Sequence, residues 1–165
     1  MKKLLGLLVV LLVVSLPAYA ADGDELSTTS FRVNSSGQVI QKILVEEATT
    51  NDTVEAGETG KTFIVTPAAA GTVKFTLPTA ADGLTYTFVQ AEGNTSAYKY
   101  VLIDPASTDI ILGCINSGTA QTMAVGDALK SAAATGDTVT IVGTDLYWYC
   151  TSRVGTWTDN GALNN

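Results

Sequence analysis

The stretch GTVKFTLPTAADGLTYTFV, residues 71–89, decides the fold prediction because apolar and polar side chains alternate strictly on both sides of a turn. Six apolar side chains share the alternating positions: Val73, Phe75, Leu77, Leu84, Tyr86 and Phe88. A period of two places such a set on one buried face of a strand and the Thr and Lys side chains on the other. The connection contains Pro78 and the pair Asp82-Gly83, which interrupt a strand and turn the chain. We therefore predict an antiparallel hairpin with one buried and one solvated face.

Short alternating segments of the same kind recur along the rest of the chain. Their spacing, roughly eight to ten strands with turns about every eight to twelve residues, is typical of sandwiches and barrels. We predict an all-β fold: an antiparallel β-sandwich, jelly-roll-like, of about 8–10 short strands. Within residues 115–136 we expect loop with a short strand, because Gly126 and Gly136 closely bracket the helix-forming residues.

The first twenty residues, MKKLLGLLVVLLVVSLPAYA, have the pattern of a secretory signal peptide. Two lysines precede an apolar run, Pro17 ends it, and Ala18-Tyr19-Ala20 fits a cleavage site. A membrane anchor is the alternative, but the run is shorter than the usual stretch of about 20 apolar residues. We expect a secreted, extracellular or cell-surface protein without membrane insertion after cleavage. The predicted segments are the signal peptide (1–20), a flexible acidic leader (21–30), an N-terminal strand-turn-strand and linker (31–57), the β-sandwich (58–157) and a polar tail (158–165).

The charge and the missing histidines exclude several functions. The chain has a net charge of −7 and no histidine, and loss of Lys2 and Lys3 with the signal peptide lowers the charge to −9. Because neutralising phosphates needs clustered cations, an acidic chain with scattered lysines predicts no nucleic-acid partner. Without histidine, Ser-His-Asp, Cys-His and H-E-x-x-H mechanisms are excluded.

Carboxylates are the remaining candidates for chemistry. Asp104, Asp109 and Asp145 lie at predicted strand ends or turns, and a glycoside hydrolase needs only a carboxylate pair. Aspartate is also a favoured turn residue, which is the role we expect. The acidic groups at 22–25 and 46–58 leave Ca²⁺ binding open, although neither has a recognisable ligand spacing. We predict no enzyme, no cofactor and no metal site.

Two cysteines, Cys114 and Cys150, form an even pair in a chain that carries an export signal. Cysteines in oxidising compartments usually pair, so we predict one disulfide between them; two buried thiols are the alternative. The bond would close a loop of about 36 residues and stabilise the fold by roughly 3–4 kcal/mol on the chain-entropy account.

Two pairs of tyrosines are ligand or interface candidates because each pair shares one face of a predicted strand. They are Tyr98 with Tyr100, and Tyr147 with Tyr149, the latter opposite Trp148; Leu146 is expected on the Trp148 face. Aromatic rings on a sheet face can stack on sugars or anchor a protein interface. They also commonly cover a core, because Tyr is favoured in strands. Surface carbohydrate is therefore a possible partner.

The segment 38–45 is the most two-sided apolar strand outside the signal peptide. Its self-assembly candidates are Val39, Ile40, Ile43, Leu44 and Val45. A strand that is apolar on both faces lies centrally in a sheet or packs between layers. Near a chain terminus it can instead add to the sheet edge of another molecule. Pairing within its own domain is the alternative.

The order of motifs from residue 58 to 157 resembles the β modules of bacteriophage tail-fibre and virion-surface proteins. The motifs are GKTFIVTP, VKFTLPTAADGLTYTFV, VLIDP, DIILG, GDTVTIVGTDLYWYC and a closing GTW. The resemblance implies a structural module or a displayed receptor-binding surface, with no catalytic set. The signal peptide and the missing fibre shaft differ from those proteins and favour a cellular, exported protein.

These observations predict an exported structural protein, a self-associating subunit of a cell-surface layer, appendage or extracellular filament. The alternative is a secreted monomeric carbohydrate- or receptor-binding β module of the tail-fibre kind.

Overall fold

The computed structural model of the protein describes residues 31–33, 39–41, 44–67, 71–92, 99–115 and 123–163. Two short strands, β1 (Phe31–Val33) and β2 (Val39–Gln41), form a separate two-stranded sheet. The strands of the two larger sheets are β3 (Leu44–Ala48), β4 (Asp52–Thr53), β5 (Lys61–Val65), β6 (Gly71–Thr76), β7 (Thr85–Gln90), β8 (Lys99–Asp104), β9 (Ile111–Leu112), β10 (Asp127–Ser131), β11 (Thr138–Gly143), β12 (Trp148–Val154) and β13 (Trp157–Ala162). A 3₁₀ turn, Ala56–Glu58, precedes β5.

The larger sheets have the orders β3-β5-β7-β11-β12-β9 and β13-β10-β8-β6-β4. From β3 to β11 each successive strand lies in the other sheet, so the chain crosses the core at every connection. As a result β3, β5 and β7 are parallel in one sheet, and β4, β6 and β8 are parallel in the other. The antiparallel pairs involve β10, β11, β12 and β13, and β9 is parallel to β12.

The prediction of an all-β, sandwich-like protein is confirmed, and its finer details are not. Both sheets are mixed, so the wholly antiparallel sandwich is wrong, and the jelly-roll-like order is not confirmed. The described part of the two larger sheets holds eleven strands instead of about 8–10. Alternation of apolar residues identifies strands, but it does not say which strands are neighbours.

The predicted hairpin over residues 71–89 is wrong, because β6 and β7 belong to different sheets. Their inward faces are as expected, but they meet from opposite layers, and the Phe75 and Phe88 ring centroids lie 4.9 Å apart. The connection is longer than the usual hairpin loop. The Leu77 amide donates to the Asp104 carbonyl (2.8 Å) at its start, and the Ala80 amide donates to the Asp109 carboxylate (2.6 Å) further on. These bonds direct the chain across the sandwich instead of back along one sheet.

The core lies between the two sheets and is centred on three phenylalanine rings. Phe63 lies 5.2 Å from both Phe75 and Phe88, and the ring of Tyr86 packs 5.7 Å from that of Trp148. All five side chains are fully buried. Tilted and offset ring pairs at such separations are favourable beyond the area they bury. The predicted burial of Phe75, Leu77, Tyr86 and Phe88 is therefore confirmed, whereas Leu84 is only partly buried.

Some strands have other bounds than the sequence predicts. The predicted strand 38–45 is divided between β2 and β3, and Lys42 and Ile43 lie outside the described residues. Strand β13 continues to Ala162, within the polar tail, and pairs with β10. Strand β10 confirms the expected short strand within residues 115–136.

Candidate functional site: the outer face and open edge of the six-stranded sheet

The outward side chains of the six-stranded sheet form a face with a single formal charge among the described residues. We call it the threonine face, and its members are Val45, Glu47, Thr62, Ile64, Thr85, Thr87, Val89, Leu112, Thr138, Thr140, Val142, Tyr149, Ser152 and Val154. Each strand contributes alternate residues while its other residues enter the core. The charged member, Glu47, lies on β3 at one edge of the sheet.

A row of hydroxyl side chains crosses the middle of the threonine face. The strand registers place Val45 beside Thr62, Thr62 beside Thr87, Thr87 beside Thr140, and Thr140 beside Ser152. A β-bulge lies in β12 between Cys150 and Ser152. Because of this extra residue, Ser152 faces outward although Cys150 faces inward. The Thr87 and Thr140 hydroxyls are hydrogen-bonded at 2.9 Å. The hydroxyls in this row are therefore spaced by neighbouring strands, and two of them are hydrogen-bonded to each other.

Mostly apolar side chains flank this row on both sides. One flanking row contains Glu47, Ile64, Val89, Thr138 and Val154, and the other contains Thr85, Val142, Tyr149 and Leu112. Val154 is 61 % exposed and Tyr149 is 42 % exposed. Branched aliphatic and aromatic residues thus remain in contact with solvent on a sheet face, which is typical of an interaction surface.

The predicted Tyr147–Tyr149 pair lies at one side of the threonine face. The two rings contact each other edge to face with centroids 6.3 Å apart, while Trp148 between them is buried in the core. Leu146, expected beside Trp148, is 68 % exposed instead, because it lies in the turn before β12. The turn and the two tyrosines therefore form a partly exposed apolar corner.

Tyr100 lies on the opposite, charged face of the molecule, and Tyr98 lies outside the described residues. The Lys130 ammonium is 4.0 Å from the Tyr100 ring centroid, a cation–π contact. On the same face the Lys74 ammonium pairs with the Asp104 carboxylate at 3.3 Å. The structure thus places Tyr100 and Tyr149 on different sheets.

Strand β3 forms an open edge of the six-stranded sheet: within the described residues it pairs with β5 alone. Leu44 is half-buried on its inner face, whereas Val45 is 60 % exposed on its outer face. Of the other self-assembly candidates, Val39 and Ile40 belong to β2, and Ile43 lies outside the described part of the chain. The five candidates therefore do not form one strand in this structure. An unpaired strand edge is a template for another strand.

An ion cluster lies at the inner side of this edge. The Lys61 ammonium pairs with the Glu46 carboxylate at 2.6 Å and also with the Glu58 carboxylate. Burial lowers the pKa of Lys61, but its hydrogen bonds to both carboxylates and their charges outweigh burial, so the pKa is raised. The pair between Glu46 and Lys61 thus holds β3 against β5.

Tyr86 lies near the same cluster. Burial, together with the charge of Glu58, raises the pKa of Tyr86 to about 12, and the Tyr86 hydroxyl donates to the Glu55 carbonyl (2.9 Å).

The cysteines lie where β9 runs beside β12. Cys114 is buried, Cys150 is half-buried, and both are thiols here, so the predicted disulfide is not formed in this structure. The two thiols are nevertheless adjacent and share a hydrogen bond, which, with burial, raises the pKa of Cys114. The same hydrogen bond and the nearby charge of Arg153 lower the pKa of Cys150, against the effect of burial. The Cys150 thiol also donates to the Ser152 carbonyl (3.5 Å).

Two of the carboxylates considered for chemistry make structural contacts. Asp104 pairs with Lys74, and Asp109 accepts hydrogen bonds from the Ala80 amide and the Thr108 hydroxyl. At Asp145 the backbone amide donates to the Asp82 carboxylate. In the described ranges no three His, Cys, Asp or Glu side chains converge on a possible metal position.

No helix in the same ranges has the length and apolar character needed to cross a membrane.

No protein-family model, curated protein or solved structure matches the chain. The resemblance to tail-fibre modules accordingly stays a prediction. The middle row of the threonine face was missed from the sequence, although the T-x-T patterns at 85–87 and 138–140 are visible there. Their alignment depends on which strands are neighbours.

Proposed function

We propose that the protein is an exported structural subunit that self-associates into a cell-surface layer, appendage or extracellular filament. The observation that carries the proposal is the open edge at β3. This strand is parallel to β5 and, among the described residues, has no strand on its other side. Natural proteins usually protect such edges with charge, proline or a covering loop. Strand β3 contains neither proline nor lysine; its charges are Glu47 on the outer face and Glu46, which is paired with Lys61 on the inner face.

The donor strand in this proposal is the apolar segment that precedes β3 in a second copy. A strand added beside β3 gains main-chain hydrogen bonds and places alternate side chains on the two faces of the sheet. Val39, Ile40 and Ile43 provide apolar side chains in that segment. Because each addition joins two copies in the same head-to-tail manner, it leaves a further open edge, so assembly continues as a chain.

The test is deletion of residues 21–41 from the mature protein. The deletion ends before β3 because Glu46 pairs with Lys61, and removing it would damage the domain itself. We expect the truncated protein to stay folded but monomeric in light scattering, and a peptide covering residues 31–43 to bind it. A matched deletion of residues 21–30 keeps the donor strand and should leave assembly intact. A full-length mature protein that stays monomeric at high concentration contradicts the proposal.

A secreted monomeric carbohydrate- or receptor-binding module is the second candidate. The exposed corner formed by Leu146, Tyr147 and Tyr149 supports it, because edge-to-face rings beside an exposed aliphatic group offer a stacking surface. Loss of glycan or cell binding in Tyr149→Ala, with assembly unchanged, would favour this candidate. Neither candidate involves catalysis, a cofactor or nucleic acid.

A further inference from the structure

We infer that the threonine face packs against the same face of a second copy, so that two six-stranded sheets stack face to face. The inference rests on the proposed function, because it names a second, lateral contact of the self-associating subunit. Strand addition at β3 joins copies through the edge of the sheet, whereas this contact joins them through its flat outer face. The two contacts use different groups and are separable by mutation.

Charge favours this face over the other surfaces. Two mature copies, each with a net charge of −9, repel each other in water. Among the residues that the structure describes, the threonine face carries no formal charge except Glu47 at its margin. On the outer face of the five-stranded sheet, contact would desolvate the ammonium groups of Lys74 and Lys130, which is unfavourable unless new partners are supplied.

The chemistry of the face is self-complementary. The hydroxyls of Thr87 and Thr140 already bond to each other, and the Thr138 hydroxyl donates to the Gly136 carbonyl (3.1 Å), so burying these three hydroxyls leaves each with a partner. Val154 and Tyr149, both substantially exposed, lie in the apolar rows on either side. A contact with two-fold symmetry uses the same surface on both copies, and on this face a central row of hydroxyls lies between two mostly apolar rows.

The area sets the strength of the contact. The six strands span about 24 Å at the usual spacing of about 4.8 Å, and the five residues 85–89 extend about 17 Å. The flat area is therefore roughly 400 Å² per copy and roughly 800 Å² for the pair, below the range of stable specific interfaces. A lone pair is thus weak, and the contact becomes effective among copies already linked through their edges.

The experiment compares the full mature protein with two double variants that add the same charge. Ser152→Lys/Val154→Lys places two lysines on exposed positions of the threonine face. The matched control, Thr72→Lys/Thr158→Lys, places two on exposed positions of strands β6 and β13 in the other sheet. Sedimentation velocity over a concentration series and negative-stain microscopy measure chain length and lateral pairing separately.

We expect wild type and control to form lateral pairs, and the threonine-face variant to pair at least about tenfold more weakly while still forming single chains. Both variants lower the net negative charge equally, so a general charge effect cannot produce that difference. Lateral pairing by the threonine-face variant equal to wild type would overturn the inference and leave strand addition standing. Lateral pairs without chains in wild type would support the inference and contradict strand addition.

Two further outcomes would overturn the inference. One is a wild type that shows no lateral pairs up to about 1 mM, the weak end of specific affinities. The other is hydrogen exchange showing the threonine face of a monomer covered by residues 21–43 of its own chain.

Discussion

Replacing Phe75 by alanine is expected to lower the free energy of unfolding by about 4–5 kcal/mol. The side chain is fully buried, and truncating a buried Phe typically costs about 3–5 kcal/mol through lost transfer energy and the remaining cavity. The ring also contacts Phe63 at 5.2 Å and Phe88 at 4.9 Å, and such pairs contribute about 0.5–1.5 kcal/mol each beyond their area. These contacts place the loss in the upper part of the range, a large share of a total stability of roughly 5–15 kcal/mol.

The matched control is Thr76→Ala, one residue along β6, where the side chain is directed outward and partly exposed. We expect a change within about 0.5 kcal/mol at that position. Urea melts followed by tryptophan fluorescence provide the measurement, since Trp148 and Trp157 are both buried. Equal losses at the two positions would show that the assignment of inner and outer faces is wrong.

The crossing of β6 and β7 between sheets has a further consequence for this prediction. A double-mutant cycle of Phe75→Ala with Phe88→Ala should give a coupling energy of about 0.5–1.5 kcal/mol, because the rings meet across the core. The cycle of Phe75→Ala with Val154→Ala, at an exposed site of β12, should give a coupling near zero. A coupling near zero in the first cycle would contradict the packing of the two layers.

Three other predictions concern single sites. Because folding raises the pKa of Tyr86 from 10.0 to about 12, its contribution to stability is complete below pH 10 and is lost as the pH rises through 12, so Tyr86→Phe should flatten the alkaline part of the stability curve; an unchanged curve would contradict this. Protein taken from the exported compartment should contain the disulfide between the two cysteines, seen as a gain of about two hydrogens in intact mass on reduction; two free thiols there would disprove it. Gly155→Ala should destabilise the protein by more than about 1–2 kcal/mol, because its φ is +80° and a side chain would meet the buried Asp137 carboxylate, whereas Gly60→Ala, with φ +82° and open space, should show the backbone cost alone; equal melts would refute the contact.

The sequence predicted the faces of the strands better than their partners. Alternation around Phe75 and Phe88 is a local property of each strand, so the burial of both rings followed from it. Whether the two strands pair side by side or face each other depends on contacts of the connection with Asp104 and Asp109, which are distant in sequence. The parallel pairing of these strands was missed for this reason.

The candidate site was predictable to a similar extent. The outward position of Tyr149 followed from alternation with Trp148, whereas Leu146 was misplaced because the strand begins after the turn. The row joining Thr62, Thr87, Thr140 and Ser152 required the order of four strands and a bulge, neither of which leaves a local signal.

Hydrogen–deuterium exchange at β3, measured on the mature protein at low and high concentration, tests the proposed assembly most directly. Strand addition places new hydrogen bonds on the outer edge of Leu44–Ala48, so the amides of this strand that point away from β5 should exchange more slowly as copies associate. Strand β13, at the edge of the other sheet, serves as the internal reference and should change little. Association with unchanged exchange at β3, or the absence of association at any concentration, would contradict assembly through the open edge.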